Sequence, residues 1–407
     1  VNGGPIATRE LLLDQYARPR DWYWEYEAHK GDRKVFAIAP NVLPLMGRLL
    51  SAAARAKDFG SFADAVSDEV TDDIAEMLAP GFVDSPENGV WSAVSAAGVY
   101  RREHASLIIR SESGATIVTD PQLSAFGWTT NFGRRPEGPN DVALGPAILL
   151  THGHNDHWDL ASILHWASEQ PIIVPRVPRP SLLTDVDHRA VLESLDLAVL
   201  APAWDSTIRI GDVEVDILPF YGEQPTRSLP LPHPDVRNWG NCYRFNLPGW
   251  SLALLVDSGV DAAGSMHDAL RRSVEKRGPI DVIMSCCMEF REGDNPGLPH
   301  YLLTVPFEHV GRVVREASST TLGPLGLAEV CEIARARYFM PYAHGFNGIG
   351  MDPRSTEGHQ TEARALDRLR EQLTARRVAT QVVAWSPGDF MSFDHGKVVV
   401  RRYSRSE

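Results

Sequence analysis

Between Leu149 and Leu160 the chain reads LLTHGHNDHWDL, which places His152, His154, Asp156 and His157 within six residues, directly after the apolar run AILL. Imidazoles and carboxylates at this density form the donor set of a borderline or hard metal ion. Side chains two apart on an extended segment point the same way, so His152 and His154 can reach one ion. Asp156 and His157 are expected to open the following helix, displaced by a turn, where they can face a second ion beside the first. Histidines satisfied in an ordinary loop would be the bland alternative, and the tight clustering speaks against it.

Strands and helices must carry these residues. The apolar stretch 147–150 reads as a short strand leading into the histidines, and DLASILHWASEQ after them has Leu160, Ile163, Leu164 and Ala167 at helical spacing. Upstream, HASLIIRS, the turn ESGA and TIVTDP read as strand, turn, strand ending at Asp120 and Pro121, followed by a Gly/Pro/Asn-rich loop. TIRIGDVEVDILPF, WSLALLVDSG, PIDVIMSC and RARYFMPYAHG are strand-like, separated by the helical stretches AAGSMHDALRRSVEKR and GLAEVCEIARAR. Such mixing predicts an α/β or α+β layered domain. The N-terminal part differs: NVLPLMGRLLSAAARAKD aligns Leu43, Met46, Leu49 and Leu50 on one helical face, and SFADAVSDEVTDDIAEMLAPGF repeats that period. A mainly helical region over residues 1–98 is expected to precede a catalytic domain over 99–407.

Composition narrows the function classes. With 407 residues, 43% hydrophobic and 23% charged, the chain can bury a sizeable core. A formal charge of −13 and no long basic run argue against nucleic acid as a partner. No apolar run is long enough to span a bilayer and the first residues carry neither an apolar signal core nor a basic leader, so a cytoplasmic protein without a membrane partner is expected. The pairs Arg134-Arg135, Arg176 with Arg179, and Arg271-Arg272 read as solvated surface features, with a phosphate or carrier-protein contact as the alternative. Cys242, Cys286, Cys287 and Cys331 form no CxxC pair and read as reduced structural thiols.

His152-x-His154-x-Asp156-His157 resembles the signature of the metallo-β-lactamase superfamily, and the similarity extends over roughly residues 100–392. The resemblance implies a four-layer αβ/βα fold. It also implies roles for residues that would be weak signals alone. Asp120 would support the metal histidines from behind, Asp257 in LLVDSG would bridge two ions, and His344 in MPYAHGF would be the last histidine. One position departs from the common pattern: where superfamily hydrolases usually supply a histidine in a Gly-His turn, this chain has Gly222-Glu223. His233, between prolines in a long loop, is the competitor for that role. The implied set is His152, His154 and Glu223 on one ion, Asp156, His157 and His344 on the other, with Asp257 between. Four nitrogens and three carboxylates move the expected metal from zinc toward iron or manganese.

The exchange of histidine for glutamate is similar to one branch, the diiron monooxygenases of this fold typified by an aminoacyl β-hydroxylase of chloramphenicol assembly and a diterpenoid hydroxylase of platensimycin assembly. Their Phe-x-Gly-Glu turn looks like Phe220-Tyr221-Gly222-Glu223 here. For this chain the resemblance implies two iron ions, O2 as co-substrate, Glu223 and Asp257 at the reacting centre, and hydroxylation of a C–H bond in specialised-metabolite biosynthesis. It further implies an acyl thioester substrate on coenzyme A or a carrier protein. With no flavin or nicotinamide fingerprint in the chain, electrons are expected from an external reductase or ferredoxin. Association as a homodimer is compatible with the sequence. Trp128, Trp158 and Trp239 lie near site motifs and would suit an apolar pocket, although tryptophan is also ordinary core filler. The alternative reading is a dizinc hydrolase of an ester, lactone, thioester or phosphodiester.

Overall fold

The computed structural model describes residues 96–102, 104–122, 146–154, 157–167, 170–178, 187–222, 237–289, 319–343 and 362–402, and the backbone of strands β1 (Trp22–Ala28) and β2 (Asp32–Ile38). β1 and β2 pair antiparallel, from Trp22 opposite Ile38 to Ala28 opposite Asp32. The expected N-terminal helices around Leu43–Leu50 and over 61–81 lie outside the described residues. The two strands were not anticipated, although WYWEYEA and DRKVFAI carry the aromatic and β-branched residues that suit a pleated ribbon.

Two sheets make the body. The first is built from β3 (Gly98–Arg101), β4 (Leu107–Arg110), β5 (Thr116–Thr119), β6 (Ala147–Leu149), β7 (Ile172–Ile173) and β8 (Val199–Leu200). The second begins with β9 (Thr207–Ile210), β10 (Val213–Pro219), β11 (Asn241–Leu247) and β12 (Trp250–Val256). After the small ribbon of β13 (Val260–Asp261) and β14 (Gly264–Ser265), it continues through β15 (Val282–Ser285), β16 (Tyr338–Pro341) and β17 (Gln381–Val382). The chain then returns to the first sheet with β18 (Asp389–Asp394) and β19 (Lys397–Arg402), giving orders β19-β18-β3-β4-β5-β6-β7-β8 and β17-β16-β15-β12-β11-β10-β9.

Period-two alternation explains the layering. Leu107, Ile109, Ile117 and Leu149 face the second sheet, in one core with Val215, Ile217, Tyr243 and Leu254. Their neighbours Ile108, Val118 and Ile148 face outward, under Ile163 and Trp166 of α1 (Leu160–Trp166) and Leu192 of α2 (His188–Glu193). On the far side of the second sheet lie α3 (Met266–Arg277), α4 (Gly323–Ala334) and α5 (Glu362–Ala375), with α4 packed against both others. β12 and β15 run parallel and are buried almost throughout, as strands covered on both faces must be. The result is the expected order of four layers, helices, sheet, sheet, helices.

Candidate metal centre

The carboxyl ends of β5, β6 and β12 open on one edge of the sandwich, which is where loop residues in parallel sheets gather around a ligand. There the two sheets are tied together. The amide of Asn241, at the start of β11, donates to Thr151 O (2.6 Å), and His152 forms an isolated antiparallel bridge with Gly240. That contact requires the glycine: a Cβ on residue 240 would lie 2.7 Å from the Phe220 ring and 2.9 Å from His152 Cβ. Thr151 and His152 are thus held extended, and His152 and His154 fall on one side, their ring centroids 4.6 Å apart.

His157 joins them by another route than the one expected. Its amide closes a turn onto His154 O (3.0 Å), and α1 begins only at Leu160, so the residue stands on a turn ahead of the helix. The His157 and His152 rings are 4.1 Å apart, centroid to centroid. His157 Nδ1 lies 2.8 Å from Asp120 Oδ2, and its Nε2 lies 3.1 Å from Asp257 Oδ2. Asp120 is fixed in turn: Oδ1 accepts from Thr151 N (2.7 Å) and Oδ2 from Thr151 Oγ1 (2.5 Å). A carboxylate facing Nδ1 keeps the proton there and the lone pair on Nε2, the atom that points into the cluster. Thr151 Oγ1 also lies 3.1 Å from His152 Nδ1, so a single hydroxyl touches the ring nitrogen turned away from the cluster. His154 Nε2 sits 3.3 Å from the Asn238 side-chain amide, which leaves Nδ1 as its nitrogen for an ion.

Donor atoms of His152, His157 and Asp257 all lie within 4.8 Å of one another, and all three residues are buried. Burial, then the neighbouring His157 and His154, lower the pKa of His152 well below the usual imidazole value, against a smaller opposing pull from Asp257 and Asp120. The ring is therefore neutral and able to donate. Asp257 Oδ1 is buried with no hydrogen-bond partner among the described residues, a costly state that a cation would relieve. These residues fit a metal ion.

Backbone strain gathers at the same place. Among the described residues nine non-glycine positions have positive φ, and His104 (48°), Asp120 (36°), Val256 (52°) and Ala343 (63°) are four of them. Val256 immediately precedes Asp257 and Ala343 immediately precedes His344. Left-handed backbone costs about 1–3 kcal/mol per residue and is most costly for a branched side chain such as valine. Gly222 (φ 84°) plays the equivalent part before Glu223. Its amide donates to Asp261 Oδ2 (3.0 Å), and a Cβ there would meet Thr320 O at 2.3 Å.

A buried cation holds this turn. Arg237 Nη2 donates to Phe220 O (2.8 Å) and to Asp261 Oδ2 (2.7 Å), and its guanidinium lies 5.4–5.5 Å from the rings of Trp204, Tyr221 and Trp239. One arginine thereby anchors the end of β10, the ribbon after β12 and an aromatic wall. The four cysteines are free and buried, as expected. Burial pushes Cys242, Cys287 and Cys331 up to about 12, and burial with the Asp257 charge raises Cys286 well above the usual value, so none offers a thiolate near neutral pH.

Of the residues singled out in the sequence, the structure brings together His152, His154, His157 and Asp257, with Asp120 behind them. Asp156, Glu223, His344 and the competitor His233 lie outside the described residues, as do Trp128, Arg134, Arg135 and Arg179. Trp158 stacks on His188 (4.3 Å), and Trp239 lies tilted against Trp204 (5.2 Å) in the aromatic wall around Arg237. Arg271 pairs with Asp268 on the surface, in keeping with a solvated reading. Thr151, Asn238, Arg237 and His104 were not anticipated. Thr151 adjoins the motif and was legible by position, whereas the others arrive through turns that carry no signature of their own.

No protein-family model matches the chain, and no curated protein does. Solved structures do. A mutant of the CmlA β-hydroxylase aligns at 18% identity with a TM-score of 0.58, covering 92% of this chain and 64% of that one. CmlA itself, a diiron β-hydroxylase from Streptomyces venezuelae, aligns at 16% identity and a TM-score of 0.56, covering 91% and 64%. This chain thus spans less than two thirds of the length of both. An isothiocyanate hydrolase from Delia radicum gut bacteria aligns at 13% identity and a TM-score of 0.46, covering 73% and 98%. The fold is that of the metallo-β-lactamases.

Proposed function

We propose that this chain is a nonheme diiron monooxygenase that hydroxylates a C–H bond of an acyl thioester carried by coenzyme A or a carrier protein. The observation that carries the reading is the Phe220-Tyr221-Gly222 turn. It is clamped by Arg237 and Asp261 beside the histidine cluster, and the next residue is a glutamate rather than a histidine. A carboxylate there adds negative charge and a hard oxygen donor, which favours oxidised iron over a neutral imidazole set. Likeness to a diiron β-hydroxylase over most of this chain's length supports the reading.

His152, His154 and Glu223 would hold one ion, Asp156, His157 and His344 the other, and Asp257 would join them. When bound, two ferrous ions supply the activation of O2. The chain's own residues orient and shield. Asp120 and Thr151 set the proton of His157 on Nδ1, and Asn238 fixes the rotation of His154. Phe220 stacks on His152 (4.9 Å) and keeps water from that face. The balance R–H + O2 + 2 e⁻ + 2 H⁺ → R–OH + H2O requires two electrons, for which the proposal names an external reductase or ferredoxin.

Two measurements test this. Metal analysis of the purified chain should give two irons per chain with a carboxylate-bridged Mössbauer signature. Reduced protein supplied with a candidate acyl thioester under ¹⁸O2 should place label in the product. Two zincs in a colourless protein, with oxygen-independent cleavage and label from solvent water, would make it a dizinc hydrolase.

A further inference from the structure

The direction of Asp257 does not follow from its strand. Tyr243 of β11 faces the first sheet, where its hydroxyl donates to Leu150 O, and Leu254 of β12 lies directly opposite Tyr243 and so shares that face. Counting by twos from Leu254, Val256 should follow it toward the first sheet, and Asp257 should turn the other way, toward the helices on the far side of the second. Asp257 instead reaches His157, on the segment that follows β6 of the first sheet, with Oδ2 3.1 Å from His157 Nε2.

A bulge makes up the difference. Leu254 pairs with Met284 of β15 and Val256 with Ser285, so β12 advances two residues against one of β15 and the alternation slips by one. Val256 takes the strain of that slip, with a φ of 52° for a branched and fully buried residue. Such a conformation persists where its surroundings over-determine it, and here they converge on one atom. Val256 O accepts the amide of Cys286 (3.0 Å), as a parallel pair requires, and also the hydroxyl of Ser285 (2.8 Å). Ser285 is itself fully buried, and its carbonyl accepts from Tyr342 N (3.1 Å), so the hydroxyl is presented from a fixed backbone.

We infer that Ser285 is a positioning residue of the metal centre: its hydroxyl pins Val256 O, holds the bulge at the end of β12, and so aims the Asp257 carboxylate at the histidines. Ser285 acts through Val256 and touches neither ion nor substrate. This rests on the metal centre proposed above, in which Asp257 is a ligand, and adds to it a residue that nothing in the stretch PIDVIMSC marks. The aim of the carboxylate is then set by a neighbouring strand rather than by the strand that carries it.

The test uses the full chain, stripped with chelator and titrated anaerobically with cobalt(II) alone, reading affinity by dye competition and site geometry by the visible d–d bands. Ser285→Ala deletes the hydroxyl, Ser285→Thr keeps one, and Asp257→Ala marks the binding that depends on this carboxylate. Ser251→Ala is the control, because Ser251 Oγ is a part-buried hydroxyl at the other end of β12, bonded to Asp281 Oδ2 (3.2 Å). Urea midpoints of the metal-free chains read stability separately. Ser285→Ala should bind the Asp257-dependent cobalt about 3- to 10-fold more weakly, the worth of one buried hydrogen bond, with shifted d–d bands. Ser285→Thr should stay near the parent in both, and Ser251→Ala should lose stability with affinity and bands unchanged. Parental affinity and bands in Ser285→Ala, when Asp257→Ala loses cobalt, overturn the inference and leave the metal centre standing. So does an equal loss of affinity in Ser251→Ala. A parent that binds no cobalt, or an Asp257→Ala chain that binds it as the parent does, overturns Asp257 as a ligand and this role for Ser285 with it.

Discussion

Asp120→Asn is the most informative single substitution, because the two residues match in size and differ in what they can accept. Asp120 Oδ1 receives Thr151 N at 2.7 Å, while Oδ2 receives Thr151 Oγ1 and faces His157 Nδ1 at 2.8 Å. Asparagine offers one acceptor oxygen. If that oxygen stays on Thr151 N, the NH2 group faces His157 Nδ1, which must give up its proton. The proton then moves to Nε2, 3.1 Å from Asp257 Oδ2, where it satisfies the carboxylate and blocks the ion. If the amide flips, the NH2 group opposes the Thr151 N–H and leaves a buried donor unsatisfied, at about 1–3 kcal/mol. Either branch penalises the metal-bound state, and loss of such an outer partner typically weakens metal binding about 10- to 100-fold, equivalent to about 1.4–2.7 kcal/mol. Competition titration of the stripped protein with a chelating dye reads this directly, with His157→Ala as the upper limit. An affinity for both ions within twofold of the parent would refute the account of Asp120 as the group that sets the His157 tautomer.

Glu223→Ala should lower metal occupancy and turnover at least 10-fold, whereas His233→Ala should be nearly silent by metal analysis and oxygen uptake; the reverse ranking would point to a histidine-rich hydrolase site. Arg237→Gln should destabilise the metal-free chain by about 3–5 kcal/mol in urea, since it strands the buried Asp261 carboxylate. Combination with Asp261→Asn should recover part of that loss, and strict additivity would show that the pair is not coupled. Burial lowers the His152 pKa in the folded state, so below the unfolded value of about 6.5 the unfolded chain binds more protons. Metal-free stability should therefore fall as pH drops from about 7 toward 5, by up to about 1.4 kcal/mol per pH unit from this group. A urea midpoint that rises over that interval would contradict it.

Sequence was most legible where neighbours in the chain remain neighbours in space. LIIR and TIVT alternate between the two cores because a two-residue period is a property of the strand itself, and His152, His154 and His157 meet because a short stretch of loop is enough to bring them together. The strand-end position of Asp257 was readable for the same reason. The helix after the motif begins at Leu160, where its apolar spacing starts, but His157, expected to open it, stands ahead of it because its amide bonds to His154 O in a turn of its own. His104 was hidden: it reaches His157 across a separation of 53 residues, through a hairpin whose register sets its position. Arg237 likewise reads in sequence as one basic residue in a polar loop, and its worth depends on Asp261, Phe220 and three aromatic rings arriving from other segments.

The buried thiols turn the protein into its own stopwatch. With pKa values pushed up to about 12 for Cys242, Cys287 and Cys331, about one thiol in ten thousand would be ionised at pH 8 even if reagent could reach it, and in the fold it cannot. Alkylation therefore counts openings of the structure rather than encounters with its surface. Cys286 sits against Asp257, Cys331 lies in α4, and Cys242 lies on β11, so mass spectrometry of which cysteine is labelled first reports which part of the molecule breathes. In a metal-loaded chain held together across the sheet edge, Cys286 should be labelled with the slow rhythm of Cys331. Stripped of metal, it should run ahead.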